Sequence, residues 1–282
     1  AVLLLLTEYG RGGDASVLAG ATRQLDVLLD SGAVAPATLD EPPEIVRASL
    51  ARALSFAWVL TVEPRYRDAG RDQLTALLRS LTFTDGRTLF ADRDGFAISA
   101  AITSAEGLRD TVAGRRALAA LDTLLRRVYA RGSGVRHTGA GALTGLLQDQ
   151  VQVADACVAA YTATGKPRYL DVARDLAAVM ERDFADPTGG YFDVAARDVP
   201  PSTVEDRVKP VLDDLLPGAN AWAAHLLLGV GQHRDHVVGR VSPALGHDAG
   251  EVLAELLGRL DGAVPVDGDA DELDGEPVEL GQ

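Results

Sequence analysis

The chain has 282 residues, 47% of them hydrophobic, which is ample for a core and fits one large domain or two average ones. Its formal net charge of −14 comes from 29 Asp and 12 Glu against 25 Arg and 2 Lys, a balance that argues against nucleic acid or an anionic membrane as partner. Cys157 is the only cysteine, so an intramolecular disulfide is excluded, and its place in the apolar run Val153 to Tyr161 predicts a buried, inert thiol.

The opening Ala1-Val2-Leu3-Leu4-Leu5-Leu6 lacks a basic flank and is too short to span a bilayer, so neither a signal nor an anchor is expected, and a cytoplasmic location is. A first residue other than Met fits a processed or truncated terminus. Ala1 to Glu8 and Ser16 to Leu29 read as a first pair of helices. A second pair follows, with Ile45 to Leu60 apolar on most sides and Tyr66 to Leu81 amphipathic. Phe96 to Thr103 and Leu108 to Tyr129 repeat that order. Leu143 to Tyr161 again leaves little polar surface, and after Gly165-Lys166-Pro167 the apolar residues Tyr169, Val172, Ala173, Leu176, Val179, Met180 and Phe184 fall at three- and four-residue spacing. Asn220 to Val230 and Asp248 to Leu260 would make a fifth pair.

Glycine turns punctuate the pairs: Ser31-Gly32-Ala33-Val34, Asp85-Gly86-Arg87-Thr88-Leu89-Phe90, Gly132-Ser133-Gly134-Val135-Arg136-His137 and Thr188-Gly189-Gly190-Tyr191-Phe192-Asp193. The copies align directly, because residues 63–72 match residues 166–175 at a constant offset of 103. An inner helix wrapped by neighbours, followed by an outer half-exposed one, is the hairpin of an α/α repeat. The expected fold is therefore all-α, an α/α toroid over residues 1–260 with about five readable hairpins and short β connectors at its rim. Beyond residue 260, Asp261, Asp267, Asp269, Asp271, Glu272, Asp274, Glu276 and Glu279 predict a solvated acidic tail over residues 261–282. Its alternating aspartates imitate a calcium loop, but Glu272 stands where that loop needs glycine.

Several motifs resemble a known family. They are Leu147-Gln148-Asp149-Gln150-Val151, Ala160-Tyr161-Thr162-Ala163-Thr164-Gly165, Phe184 to Asp193, Arg207 to Asp214, and Pro217-Gly218-Ala219-Asn220-Ala221-Trp222-Ala223-Ala224. Together they look like the helical C-terminal domain of YyaL-type thioredoxin-domain-containing proteins. The resemblance covers roughly Val46 to Val230. It implies a six-hairpin glycosidase-like toroid, the shape shared with N-acylglucosamine 2-epimerases, and does not imply a settled reaction. The thioredoxin-like domain of that family has no counterpart here.

Toroids of this kind place ligands in the funnel where inner helices begin. Gln148, Asp149 and Gln150 open one such helix. Asp149 reads either as a helix-capping carboxylate or as a general acid or base facing the funnel. Asp193 on the rim would supply a second carboxylate for glycoside hydrolysis. His137 on a glycine-turn strand and His225 on the last inner helix are the histidine pair of an epimerase-type reading, against the plain reading of packed or surface histidines. Tyr191, Phe192 and Trp222 offer flat faces to a pyranose or pack in the core. Lys209, with Asp213 or Asp214 nearby and Asn220 following, reads as a turn-stabilising ion pair or an anion contact. His233, His236 and His247 lack a zinc frame, and no P-loop, GxGxxG or GxSxG is present, so neither metal nor cofactor is expected. Two functions stay open: glycosidase-type or epimerase-type acid/base chemistry on a small carbohydrate, or a non-catalytic module that partners a thioredoxin-like protein.

Overall fold

The computed structural model describes residues 2–32, 43–83, 87–139, 145–199, 207–210, 212 and 216–232. Nine α-helices lie within them: α1 (Val2–Gly12), α2 (Ala15–Asp30), α3 (Pro43–Thr61), α4 (Pro64–Ser80), α5 (Ala91–Gly107), α6 (Thr111–Val128), α7 (Leu147–Thr164), α8 (Pro167–Asp183) and α9 (Ala219–Gln232). Strands β1 (Tyr129–Ala130) and β2 (Gly134–Val135) form an antiparallel hairpin between α6 and α7.

Local sequence explains where these helices start and stop. Asp14 and Asp110 cap α2 and α6 by accepting from the backbone N–H groups of Ser16 and Ala113. Pro64 and Pro167 stand in the first turn of α4 and α8, where a missing N–H costs nothing. Gly165 ends α7 in the left-handed conformation, φ 64°, with its N–H on Tyr161 O.

α3, α5, α7 and α9 pack side by side, α1 adjoins α3, and α2, α4, α6 and α8 each lie outside the inner helix that precedes them. The inner helices are alanine-rich, and Ala48, Ala51, Ala97, Ala100, Ala101, Ala154, Ala156 and Ala160 are all fully buried. Small side chains permit close helix approach. At Gly95 the approach is closest, because a Cβ there would stand 2.9 Å from the backbone carbonyl carbon of Gln152. The outer helices turn one leucine-bearing face inward, and each fully buried leucine, such as Leu121 and Leu124 of α6, contributes roughly 1.5–3 kcal/mol.

Four of the five expected hairpins are thus present, and α9 supplies the inner helix of the fifth. The expected outer helix at 248–260, the acidic tail and the histidines at 233, 236 and 247 lie outside the described residues. The third inner helix is longer than the apolar pattern predicts, starting at Ala91 rather than Phe96. Among the described residues, no helix is long and apolar enough to cross a membrane.

Candidate functional site

The chemistry gathers where α5 and α7 begin. Asp149, in the first turn of α7, is fully buried, and its carboxylate accepts from Leu146 N at 2.7 Å, Asp92 N at 3.0 Å and His137 Nδ1 at 3.0 Å. The capping reading of Asp149 matches these contacts, while the carboxylate is enclosed rather than open to a funnel. It caps its own helix, and it reaches across to α5 and to the rim strand.

His137 is delivered by the β1–β2 hairpin and the residues after it. Gln150, also fully buried, accepts from Val135 N at 2.9 Å and donates to Val135 O at 2.9 Å, which fastens β2 to α7. Ala91 N donates to His137 O at 2.9 Å, and Phe90 bridges Thr138, which ties the same segment to the start of α5. Gly145 is required beside it, since a Cβ there would lie 2.6 Å from Val135 O and 2.9 Å from the Asp149 carboxylate.

Asp92, the second residue of α5, completes the group. Asp92, His137 and Asp149 each place one oxygen or nitrogen within 4.8 Å of the others. Burial and the Asp149 charge push the Asp92 carboxyl above its ordinary range, against a backbone hydrogen bond from Arg93. The hydrogen bond to Asp149 raises the His137 imidazole, against partial burial, so it holds its proton more firmly than a free histidine. These three side chains are also the one set of potential metal ligands among the described residues. A cation there would have to displace the His137 proton and share oxygens that already serve two backbone N–H groups.

The remaining sequence candidates fall elsewhere. Gln150 is committed on both amide atoms to Val135, so the expectation that it contacts substrate is corrected: it pins the rim strand. Gln148 donates to Pro217 O at 3.2 Å. Asn220 brackets Tyr191, accepting from its N–H at 2.8 Å and donating to its carbonyl at 2.9 Å, and also donates to Pro210 O. Tyr191 donates its hydroxyl to Glu181. Phe192 lies under two cations, the Arg207 guanidinium 4.2 Å and the Lys209 ammonium 5.6 Å from its centroid. Lys209 does stabilise a turn, but through Asp186 at 2.5 Å and Gly189 O at 2.8 Å. Asp213 and Asp214 lie outside the described residues. Asp193 supports α7 through its carbonyl, which accepts from Leu147 N, while its carboxylate accepts from Val208 N at 3.3 Å. His225 is exposed on α9, its ring tilted against Trp222 at 5.3 Å, and the Asp92 group does not include it. Asp92 was missed by the sequence reading, although Asp92 and Asp94 directly follow a glycine turn and open an inner helix, as Asp149 does.

No family model and no curated protein matches the sequence. Solved structures do. The cellobiose 2-epimerase from Spirochaeta thermophila DSM 6192 superposes with a TM-score of 0.55 at 15% identity, over 78% of this chain and 60% of its own. Unsaturated glucuronyl hydrolase from Bacillus sp. GL1 gives 0.60 at 16% identity over 90% and 71%. An α-1,6-mannanase of Salegentibacter sp. HEL1_6, solved with α-1,6-mannotriose, gives 0.51 at 11% identity over 73% and 56%. The chain therefore spans 60% or less of the epimerase and the mannanase. At such identities the likeness establishes the fold alone, an α/α toroid of the six-hairpin glycosidase and epimerase type.

Proposed function

We propose that this chain acts on a carbohydrate by proton transfer, with Asp92 as base, His137 as acid and Asp149 as the positioning residue that holds both. The observation that carries this reading is the buried Asp149 carboxylate accepting from the Asp92 backbone and the His137 ring at once. A raised carboxyl is a stronger base than an ordinary aspartate, and a raised imidazole keeps its proton near neutrality. With Nδ1 on Asp149, Nε2 is the nitrogen left to meet substrate.

The geometry disfavours a two-carboxylate displacement. That mechanism needs two carboxyl groups open to the sugar, about 5–5.5 Å apart for retention or 6.5–9.5 Å for inversion. Asp149 has no exposed surface and three donors on it, and Asp193 stands outside the group. Epimerisation, isomerisation or hydration of an unsaturated sugar each need one proton removed and one delivered, which Asp92 and His137 can do. That the reaction involves sugars is supported by the solved epimerase, glucuronyl hydrolase and mannanase that share this fold.

The residues behind the YyaL-type resemblance, chiefly Tyr191, Lys209 and Asn220, hold turns and helix starts together. They support a shared architecture for the C-terminal half. A role as a module for a thioredoxin-like protein becomes the better reading if the activity test fails.

The test is incubation of reducing mono- and disaccharides and unsaturated uronides with the protein in deuterated water, followed by NMR. Deuterium uptake at a sugar carbon is expected, lowered at least about 100-fold by Asp92→Asn and by His137→Gln. Absence of turnover and of exchange across the panel refutes the assignment.

A further inference from the structure

A second polar group lies deeper along the inner helices. Phe96 and Ser99 follow Asp92 on α5 by four and seven residues, and Gln152 and Asp155 follow Asp149 on α7 by three and six. At 1.5 Å per residue, Ser99 and Asp155 sit about 10 Å further along the helix axes than the acid/base group. Arg52 of α3 reaches them. Its Nη2 donates to Ser99 Oγ at 3.0 Å, Ser99 Oγ donates to Asp155 Oδ2 at 2.6 Å, and the guanidinium lies 5.3 Å from the Phe96 ring centroid.

This group has hydrogen-bonding capacity left over. Gln152 is fully buried, yet neither its amide nitrogen nor its amide oxygen has a partner among the described residues. The buried Nε of Arg52 has none either. Each unpaired buried group costs about 1–3 kcal/mol, a cost removed by a ligand that both donates and accepts. Arg52 and Asp155 are themselves half-buried and so remain within reach of one.

Charge decides the kind of ligand. Burial lowers the Arg52 guanidinium below its ordinary range, and the charge of Asp155 opposes that shift. A carboxylate ligand would bring a second negative charge beside Asp155, with Asp149 and Asp92 each about two helical turns away. Hydroxyl groups meet no such penalty, accepting from Arg52 and donating to Asp155.

We propose that Arg52 and Asp155, with the unpaired Gln152 amide behind them, form a subsite for a neutral sugar ring, so that the substrate is a neutral saccharide of two or more rings, with an adjoining ring at Asp92 and His137. This rests on the proton-transfer reading and adds to it the substrate's charge and length.

The experiment is calorimetric titration of cellobiose, α-1,6-mannobiose and the same disaccharides carrying a terminal uronate, with glucose and mannose alongside. At least one neutral disaccharide is expected to bind about tenfold or more tightly than both its uronate form and its monosaccharide. Arg52→Gln should remove most of that advantage over the monosaccharide. Asp155→Asn, which lifts the repulsion, should bring uronate binding up towards neutral binding, and it serves where Arg52→Gln does not fold. Uronates bound as tightly as neutral sugars, or disaccharides no tighter than monosaccharides, overturn the subsite and leave the proton-transfer reading standing. No binding of any sugar overturns both.

Discussion

Two aspartates a few ångströms apart have different surroundings. Asp149 receives three donors, whereas Asp92 is desolvated beside a neighbouring negative charge. The pH dependence of stability has the same sign at the two titrating neighbours, His137 and Asp92, because both folded-state values are raised and each contribution falls as pH rises. The folded-state value of His137 is raised above the ordinary 6.5, so its contribution is complete below about pH 6.5 and is lost as pH climbs through the raised value. Urea denaturation of His137→Gln against the parent chain should show a gap that is largest near pH 6 and closes by pH 9. Partial exposure keeps that gap to about 1 kcal/mol or less. A gap unchanged across the range contradicts the assignment. For Asp92 the folded value is raised as well, so ionisation opposes folding, and Asp92→Asn should leave stability at pH 7 unchanged or higher while abolishing turnover.

At the scale of elements, the offset of 103 has a structural counterpart beyond matched letters. Thr61 and Thr164 both turn their hydroxyls back onto their own helices and accept from the N–H two residues on, at Glu63 and Lys166. Between them, Gly165 has φ 64° and its counterpart Val62 has φ 57°. A left-handed valine costs about 1–2 kcal/mol, part of which glycine returns in unfolded-chain entropy. Val62 is 66% exposed, so little packing is lost on truncation. Val62→Gly is therefore expected to stabilise by about 0.5 kcal/mol, read as a small rise in melting temperature. A fall would show that the valine side chain matters more than its backbone.

How far the sequence shows all this depends on the element. Helices with a clean apolar period, such as α4 and α8, are legible to within two or three residues. α5 is not, because Asp92, Arg93, Asp94 and Gly95 interrupt the apolar pattern. They are helical because Asp94 takes Arg87 at 2.5 Å and Phe90 N at 3.0 Å, and because only glycine fits against Gln152. Losing that first turn from the reading meant losing Asp92. His137 and Asp149 were legible as single residues from a glycine turn and a helix start, but their contact is tertiary. The offset gave no help, since it carries Asp92 onto Ala195 and Asp149 onto Val46. The chemistry sits where the repeat is broken.

Across the whole molecule, tyrosine and aspartate link successive outer helices in the same way. Tyr66 of α4 donates to Asp26 of α2 at 2.9 Å, and Tyr169 of α8 donates to Asp122 of α6 at 3.1 Å. The two pairs belong to different cores, Tyr66 to the one built on α1, α2 and α3, and Tyr169 to the larger one beyond it. Tyr66→Phe and Tyr169→Phe should each cost about 1 kcal/mol, and the double variant should cost their sum within about 0.5 kcal/mol. A marked departure from additivity in chemical denaturation would mean that the ring couples its halves more tightly than neighbour-to-neighbour packing does.

The hydrogen bond from Asp92 to Asp149 spans 57 residues of chain, and the His137 segment between them is fastened to both helices. The contacts that gather Asp92, His137 and Asp149 therefore cross between helical hairpins. Helices can form, and hairpins can pair, before any of this geometry exists, because long-range closure is the slower step. The proposed acid/base group is thus a product of long-range closure: the proposed chemistry is present only once the inner helices have met.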